Sequence, residues 1–336
     1  MSIDFAPDDD DFDDDWGTLP RFGGCVLFDR YLLIERIGNG GTGEVWRIRH
    51  LELDSERALK LIKPEIARND KGWRRFQREA RLMAKINHPN AVAVYDFGRK
   101  QSVGYIEMEF VRGRSLADVL KERHDEPMPW DWTAQVLDQL CSVLQEAHGY
   151  VDPRSGKPKP ILHRDLKPSN LMLVDSKPPG EKLKVRDFGI ARMVEDEDLV
   201  GTPAYMSPEQ IRGGISKEGK REIDGPSDLY SVGVILYQFL TGNLPFQGMS
   251  KIDVLAAHLD TPPPPMNQAN PKAEVPPEVE RVVMRCLEKD PVKRHQTARE
   301  LAETFRAAID QATGRARKTD RISSWRVWFG GFFRRQ

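Results

Sequence analysis

The octet His163-Arg164-Asp165-Leu166-Lys167-Pro168-Ser169-Asn170 is polar and charged, yet it stands between two short apolar runs, Ile161-Leu162 and Leu171-Met172-Leu173-Val174. Apolar runs of this length read as strands or strand ends tied to a core. The residues between them then form a loop anchored at both ends, which fixes the separations of an acid (Asp165), a cation (Lys167) and an amide (Asn170). A second acid, in Asp187-Phe188-Gly189, again follows directly on a strand-like run, Leu183-Lys184-Val185. Either motif alone would read as a solvated charged turn. Both together, in this order and each behind a strand-like run, point to a chemical site.

Upstream, Tyr31 to Ile37 and Glu44 to Ile48 read as strands around Gly38-Asn39-Gly40-Gly41-Thr42-Gly43. A GxGxxG run binds phosphates in two settings. A dinucleotide-binding fold needs a helix after the glycines; here a strand containing Val45 follows, which leaves a strand–turn–strand hairpin. Glu56 to Ile62 is a third strand, with Ala58 and Lys60 on one face by the period of two. Asp70 to Ile86 reads as a helix with Phe76, Ala80, Met83 and Ile86 along its apolar stripe. Glu79 falls beside that stripe, and an inward acid needs a cation; Lys60 is the candidate, with surface pairing to Arg75 or Arg78 as the alternative. Ala91 to Gly98 and Tyr105 to Val111 complete a small antiparallel sheet. Ser115 to His124, Trp132 to His148 and Ser227 to Thr241 read as helices, so the character turns mainly α beyond residue 112.

These residues resemble the signature set of the protein kinases. The likeness is greatest to the bacterial eukaryotic-like Ser/Thr kinases, through Gly201-Thr202-Pro203-Ala204-Tyr205-Met206-Ser207-Pro208-Glu209-Gln210. The resemblance covers roughly residues 25–310. It implies an α+β, bilobal protein-kinase fold: a small, mainly antiparallel β N-lobe with one helix, and a larger, mainly α C-lobe. The divisions expected are an acidic leader (1–22), N-lobe (23–111), C-lobe (112–312) and a basic, aromatic tail (313–336), with ATP in the cleft between lobes.

By the same resemblance, Asp165 accepts the proton of the substrate hydroxyl, Lys167 offsets charge on the transferring phosphoryl group, and Asn170 and Asp187 hold Mg²⁺. Lys60 paired with Glu79 orients the α- and β-phosphates. The nucleotide is bounded by Ile37, Gly38, Asn39, Gly40, Gly41, Thr42, Gly43, Glu44 and Val45, with Ala58 and Met172 also in contact. Met108 lies behind the adenine, and Glu109 and Val111 offer hinge backbone groups to it. Asp228 matches the acid that braces the catalytic loop, Arg294 the partner of Glu209, and pairing of Lys167 with Thr202 marks Ser/Thr specificity. The cofactors implied are ATP and Mg²⁺, and the partners are proteins with Ser or Thr acceptors. The alternative is a nucleotide-binding pseudokinase scaffold, which is expected to lack Lys60, Asp165 or Asp187. All three are present, which favours the enzyme.

Several residues depart from the pattern. Ser207 replaces the more usual Ala, and Arg186 precedes Asp187 where a small or apolar residue is usual. Arg164 resembles the arginine that many kinases satisfy with a phosphate on the activation segment. Between Ala191 and Val200, however, there is no Ser, Thr or Tyr, only Arg192-Met193-Val194-Glu195-Asp196-Glu197-Asp198-Leu199. Either carboxylates of this run replace the phosphate, or the run is a solvated acidic loop. Val151 to Pro160 and Arg212 to Pro226 read as surface loops.

The net charge of −1 conceals polarity between the ends. The first fifteen residues hold eight Asp and no Lys or Arg, a composition that does not fold alone. From Arg315 onward seven basic residues face only Asp320, interleaved with Trp325, Trp328, Phe329, Phe332 and Phe333, which suits a membrane interface or a partner surface; packing of the aromatics on the kinase core, or contact with the acidic leader, are the alternatives. The body has no basic patch interleaved with aromatics, which argues against nucleic acid. Cys25, Cys141 and Cys286 show no metal spacing and read as thiols of a reducing compartment. There is no secretory signal pattern, and Val232 to Leu240, the longest apolar run, is too short to cross a bilayer. The location expected is cytoplasmic, with the tail as the one candidate for membrane contact.

Overall fold

The computed structural model describes residues 21–40, 43–100, 103–124, 126–175, 183–188, 203–215, 223–248 and 250–314, the side chains of Lys71, Arg75, Glu79 and Ile215 excepted. The acidic leader before residue 21, the run 189–202 and the tail from Arg315 lie outside the described residues, and the expectations made for them stay as such. The chain divides into two compact units, Met1–Arg112 with Arg186–Gly201, and Gly113–Val185 with Thr202–Gln336.

The first unit is an antiparallel sheet of β1 (Val26–Leu27), β2 (Tyr31–Gly40), β3 (Gly43–His50), β4 (Ser55–Ile62), β5 (Val94–Lys100) and β6 (Val103–Glu109), in the order β1-β2-β3-β4-β6-β5. Alternation along the strands sends Leu33, Ile48, Leu59 and Leu61 to one face, where they bury with Leu27, Tyr31, Trp46 and Val103. Each such side chain contributes on the order of 1.5–3 kcal/mol by leaving water. Two helices join the sheet rather than the single one expected: α1 (Pro64–Arg68) and α2 (Asp70–Met83). Pro64 at the start of α1 supplies a backbone already set for a helix and lacks only an N–H that has no intrahelical acceptor. In α2, Phe76 is fully buried, stacked on Trp73 and edge-on to Phe97. This helix ends before Ile86 because its last turn tightens: the amides of Lys85 and Ile86 bond to Leu82 and Met83, three residues back.

The second unit is mainly helical: α3 (Leu116–Glu122), α4 (Trp130–His148), α5 (Pro208–Ile215), α6 (Gly225–Thr241), α7 (Lys251–Asp260), α8 (Met266–Ala269), α9 (Pro277–Cys286) and α10 (Ala298–Ala312). A small antiparallel sheet of β7 (Gly113–Ser115), β8 (Leu171–Val174) and β9 (Leu183–Val185) accompanies them. Helix α6 is buried almost throughout and packs against α4, α8 and α9. It starts from an Asp224 cap and stops at Gly242, whose φ of 75° suits glycine. The stretch expected as a loop from Arg212 to Pro226 is partly helical, since α5 runs on to Ile215 and α6 already starts at Gly225. Val151 to Pro160 is an exposed turn closed by a bridge between Val151 and Pro158. The three cysteines are buried and unbonded to one another. Among the described residues no helix is long and apolar enough to cross a membrane.

Candidate active site

In the first unit the strand register assembles the site. Val45 pairs with Lys60 across β3 and β4, and Ala58 pairs with Met108 across β4 and β6. Directly paired residues share a face, as do residues two apart, so Val45, Ala58, Lys60 and Met108 all lie on the face opposite the Leu59–Leu61 core. The β2–β3 hairpin continues this surface through the pairs Gly38–Val45, Asn39–Glu44 and Gly40–Gly43, with Ile37 exposed alongside. Gly43 has φ of 148°, and a Cβ there would lie 1.8 Å from the Leu61 carbonyl oxygen, so only glycine lets the hairpin approach β4 this closely. Gly41 and Thr42 lie outside the described residues. The Glu44 carboxylate is buried and engaged within the hairpin: it pairs with Arg21 at 2.9 Å and Arg36 at 3.4 Å and accepts from Trp46 Nε1 at 2.9 Å. At the far end, Glu109 exchanges hydrogen bonds with Ala93 through its amide (2.8 Å) and its carboxylate (3.2 Å), and Val111 follows the end of β6.

The buried Lys60 ammonium donates to Asp187 Oδ1 at 3.1 Å, while Arg186 Nε stands 3.6 Å from Asp187 Oδ2. The metal-binding candidate therefore has a cation against each oxygen. Asp187 has φ of 61°, a conformation costly for a residue with a Cβ and typical of functional positions. The Glu79 side chain, expected to pair with Lys60, lies outside the described residues; the partner seen for Lys60 is Asp187.

In the second unit Asp165 lies on the loop between α4 and β8. Its Oδ2 accepts from Lys167 Nζ at 2.8 Å and from Asn170 Nδ2 at 3.1 Å, and its backbone carbonyl accepts from the same amide at 2.7 Å. Asn170, itself buried, thus spends its NH₂ on the acid and turns Oδ1 into the remaining edge of the amide. Beneath the loop, Asp228 at the start of α6 accepts from the amides of His163 and Arg164 at 2.8 Å each and meets His148 Nε2 at 2.8 Å. Burial alone would push the Asp228 carboxyl up; the bond and charge of His148, with His163 and the Arg164 amide, reverse that and hold it below its ordinary value. Arg164 has φ of 66°, so the residue before the acid is also strained. Met172, in β8, pairs with Ser115 and Lys184.

A pocket of about 610 Å³ opens beside this loop, lined among others by Leu120, Lys121, His124, Lys167, Ser169 and Tyr205. Tyr205 and Gln238 both line it, and Tyr205 OH donates to Gln238 at 2.7 Å. Glu209 receives two bonds from Arg294, at 2.7 and 2.9 Å, with both side chains buried, and a third from Ser227 at 2.5 Å. Burial raises the Glu209 carboxyl, but Arg294 outweighs it and leaves the group below its ordinary value. Thr202, expected near Lys167, lies outside the described residues.

Two residues at this site were not anticipated. His148 carries no local signal for its bond to Asp228, 80 positions away. Gln210 donates from Nε2 to the Arg164 carbonyl at 2.8 Å; the S-x-x-Q spacing from Ser207 is a signal for a helix cap and carries none for this link.

Among known proteins, the chain is 36% identical over 308 residues to the serine/threonine-protein kinase pkn3 of Myxococcus xanthus, covering 88% of this chain and 52% of that one. It is 36% identical to PknB of Mycobacterium leprae, over 82% of this chain and 42% of the relative. The chain spans about half the length of the curated relatives it matches. The crystal structure of the kinase domain of Mycobacterium tuberculosis PknI superposes with a TM-score of 0.65 at 25% identity, covering 86% of this chain and 99% of that one. The protein kinase domain family matches residues 31–305, and the chain, with its α+β fold of β-rich and helical units, belongs to that family.

Proposed function

We propose that this chain is an ATP-dependent serine/threonine protein kinase, transferring the γ-phosphoryl group of ATP to Ser or Thr hydroxyls of proteins. The observation that carries the reading is the Asp165 cluster: a carboxylate whose Oδ2 is held by Lys167 and Asn170 on a loop braced by Asp228. Phosphoryl transfer asks a protein for charge neutralisation and in-line positioning more than for covalent chemistry. With Oδ2 committed to two donors, Asp165 Oδ1 is the atom to accept the proton of an acceptor hydroxyl. Lys167, within reach of the same acid, offsets charge on the group in transit.

The residues fit the implied nucleotide and metal. Gly43, Val45, Ala58, Lys60 and Met108 share a surface with a glycine at the closest backbone approach, and Lys60 supplies a buried cation for phosphate. The Asp187 carboxylate and the Asn170 side-chain carbonyl are hard oxygen donors. That suits Mg²⁺, which takes one or two protein oxygens and completes its shell with phosphate and water. Bound MgATP supplies the phosphoryl donor and the metal charge that neutralises it. The pocket beside Lys167 and Ser169 suits the chain of a protein substrate next to its acceptor residue. Retention of Lys60, Asp165 and Asp187 disfavours a nucleotide-binding scaffold without activity. Incubating the protein with γ-labelled ATP, Mg²⁺ and casein or myelin basic protein, then hydrolysing to phosphoamino acids, tests this: phosphoserine or phosphothreonine is expected, and absence of label from protein would refute it.

A further inference from the structure

Ser207 and Gln210 open helix α5 with a reciprocal cap. The Ser207 amide donates to Gln210 Oε1 at 3.0 Å, and the Gln210 amide donates to Ser207 Oγ at 3.4 Å. In such a box the glutamine is normally finished once its oxygen has been used. Here its Nε2 goes on to the carbonyl of Arg164, 46 residues earlier, at 2.8 Å. That carbonyl belongs to the peptide whose nitrogen is the amide of Asp165. Arg164, at φ of 66°, is therefore held on both sides: its N–H by Asp228 at 2.8 Å and its carbonyl by Gln210. A left-handed conformation at a residue with a Cβ persists where its surroundings over-determine it. The Gln210 end of this brace is firmly anchored, since the preceding residue is Glu209, locked by Arg294 and Ser227 in a buried cluster.

We propose that Gln210 is a positioning residue for the catalytic acid: its carboxamide sets the plane of the Arg164–Asp165 peptide, and so couples the start of α5 to the aim of Asp165. The inference rests on the kinase reading of Asp165 and adds a determinant of turnover beyond the residues given catalytic or binding roles above. The chemistry separates its two jobs. Glutamate serves the cap as well as glutamine does, because the cap needs only an acceptor for the Ser207 amide. A carboxylate has no proton for the Arg164 carbonyl and sets a negative charge against it. Gln210→Glu thus keeps the cap and cuts the link, whereas Ser207→Ala removes the hydroxyl and keeps the link, since the donor to Gln210 Oε1 is a backbone amide.

The test measures steady-state kinetics and thermal midpoints of the full chain and of both variants, with hydrogen exchange of the peptide spanning 163–167 as a readout independent of activity. Loss of one neutral hydrogen bond is about 1 kcal/mol, close to a fivefold effect. In Gln210→Glu, kcat falls at least fivefold, KM for ATP stays within twofold, the thermal midpoint stays near that of the parent, and the 163–167 amides exchange faster. In Ser207→Ala, the midpoint drops while kcat and the exchange of 163–167 hold. Unchanged kcat and unchanged exchange in Gln210→Glu overturn the proposal. If the parent chain itself transfers no phosphate, the kinase reading fails, and faster exchange in Gln210→Glu still reports whether Gln210 sets this peptide.

Discussion

Asp187 and Asp165 are the two acids on which the proposed chemistry turns, one in each unit, and they are held by different means. Asp187 meets Lys60 through one ion pair at 3.1 Å, keeps 23% of its side chain exposed, and has the more loosely placed Arg186 on its other oxygen. Asp165 stands on backbone fixed by Asp228, a carboxylate 2% exposed that accepts two loop amides and meets a histidine. Behind that lies a second buried pair, Glu209 with Arg294, at 1% and 0% exposure. In the Lys60–Asp187 pair the acid keeps part of its contact with water, while breaking a pair buried at both partners strands a charge out of water. The proposed metal-binding acid is thus held by one ion pair that a metal can replace, while the proposed base, 16% exposed itself, stands on backbone braced by buried residues. Substitution of Asp187 should separate activity from stability, whereas substitution of the buried ion pair behind Asp165 should lose both together.

The largest expected effect is on the first side of that comparison. Asp187→Asn keeps an oxygen for Lys60 but removes the charge that binds the metal. Metal charge stabilisation is worth several kcal/mol, so transfer should fall about 10³-fold or more, with the thermal midpoint nearly unchanged. A drop in midpoint as large as that of the next variant would erase the distinction between the two acids. Arg294→Ala strands Glu209 in the interior and should cost about 3–5 kcal/mol, read by urea unfolding. Loss of activity there should follow loss of fold.

Much of this was legible in the chain because motif residues sit within a few positions of each other. Asp165, Lys167 and Asn170 come together through one loop, and Ala58 and Lys60 through the period of a strand. Val45 joins them through the β3–β4 hairpin, whereas Met108 arrives through the pairing of β4 with β6, which are not consecutive in the chain. What could not be read locally were contacts between distant segments: His148 with Asp228, Gln210 with Arg164, and Arg21 with Glu44. Element ends also escaped, as where α2 tightens before Ile86, because they depend on the last few backbone bonds and not on the apolar pattern.

An intermediate effect concerns pH and the second unit. Burial, then Lys289, pushes fully buried His258 down to about 4, and burial with Arg285 does the same for His295. Both are neutral in the fold, whereas the unfolded chain takes up protons near the ordinary value of 6.5. The unfolded state therefore binds more protons between these limits, and stability falls as pH drops from about 6.5 towards 4. For His258 the loss is on the order of 2–3 kcal/mol. Unfolding midpoints at pH 7 and pH 5 should differ, and His258→Asn should flatten that difference; an equal slope in the variant would contradict the assignment. The smallest effect is at Arg186, 38% exposed and 3.6 Å from its acid. Pairs of this kind are worth about 0–1 kcal/mol, so Arg186→Leu should tighten the apparent Mg²⁺ affinity by at most about fivefold, read from the Mg²⁺ dependence of nucleotide binding. A weakened affinity would show that the arginine helps the phosphates instead of competing with the metal.

The central claim, that Asp165 is the base of a phosphoryl transfer, is tested most directly by Asp165→Asn in the full chain, measuring nucleotide binding with a fluorescent ATP analogue and label transfer to protein at saturating MgATP. Asparagine keeps an acceptor for Lys167 and Asn170, so binding should match the parent within about twofold, while loss of general-base catalysis should lower transfer by about 10²–10⁴-fold. Transfer at the parental rate by a folded, nucleotide-binding Asp165→Asn protein would contradict it.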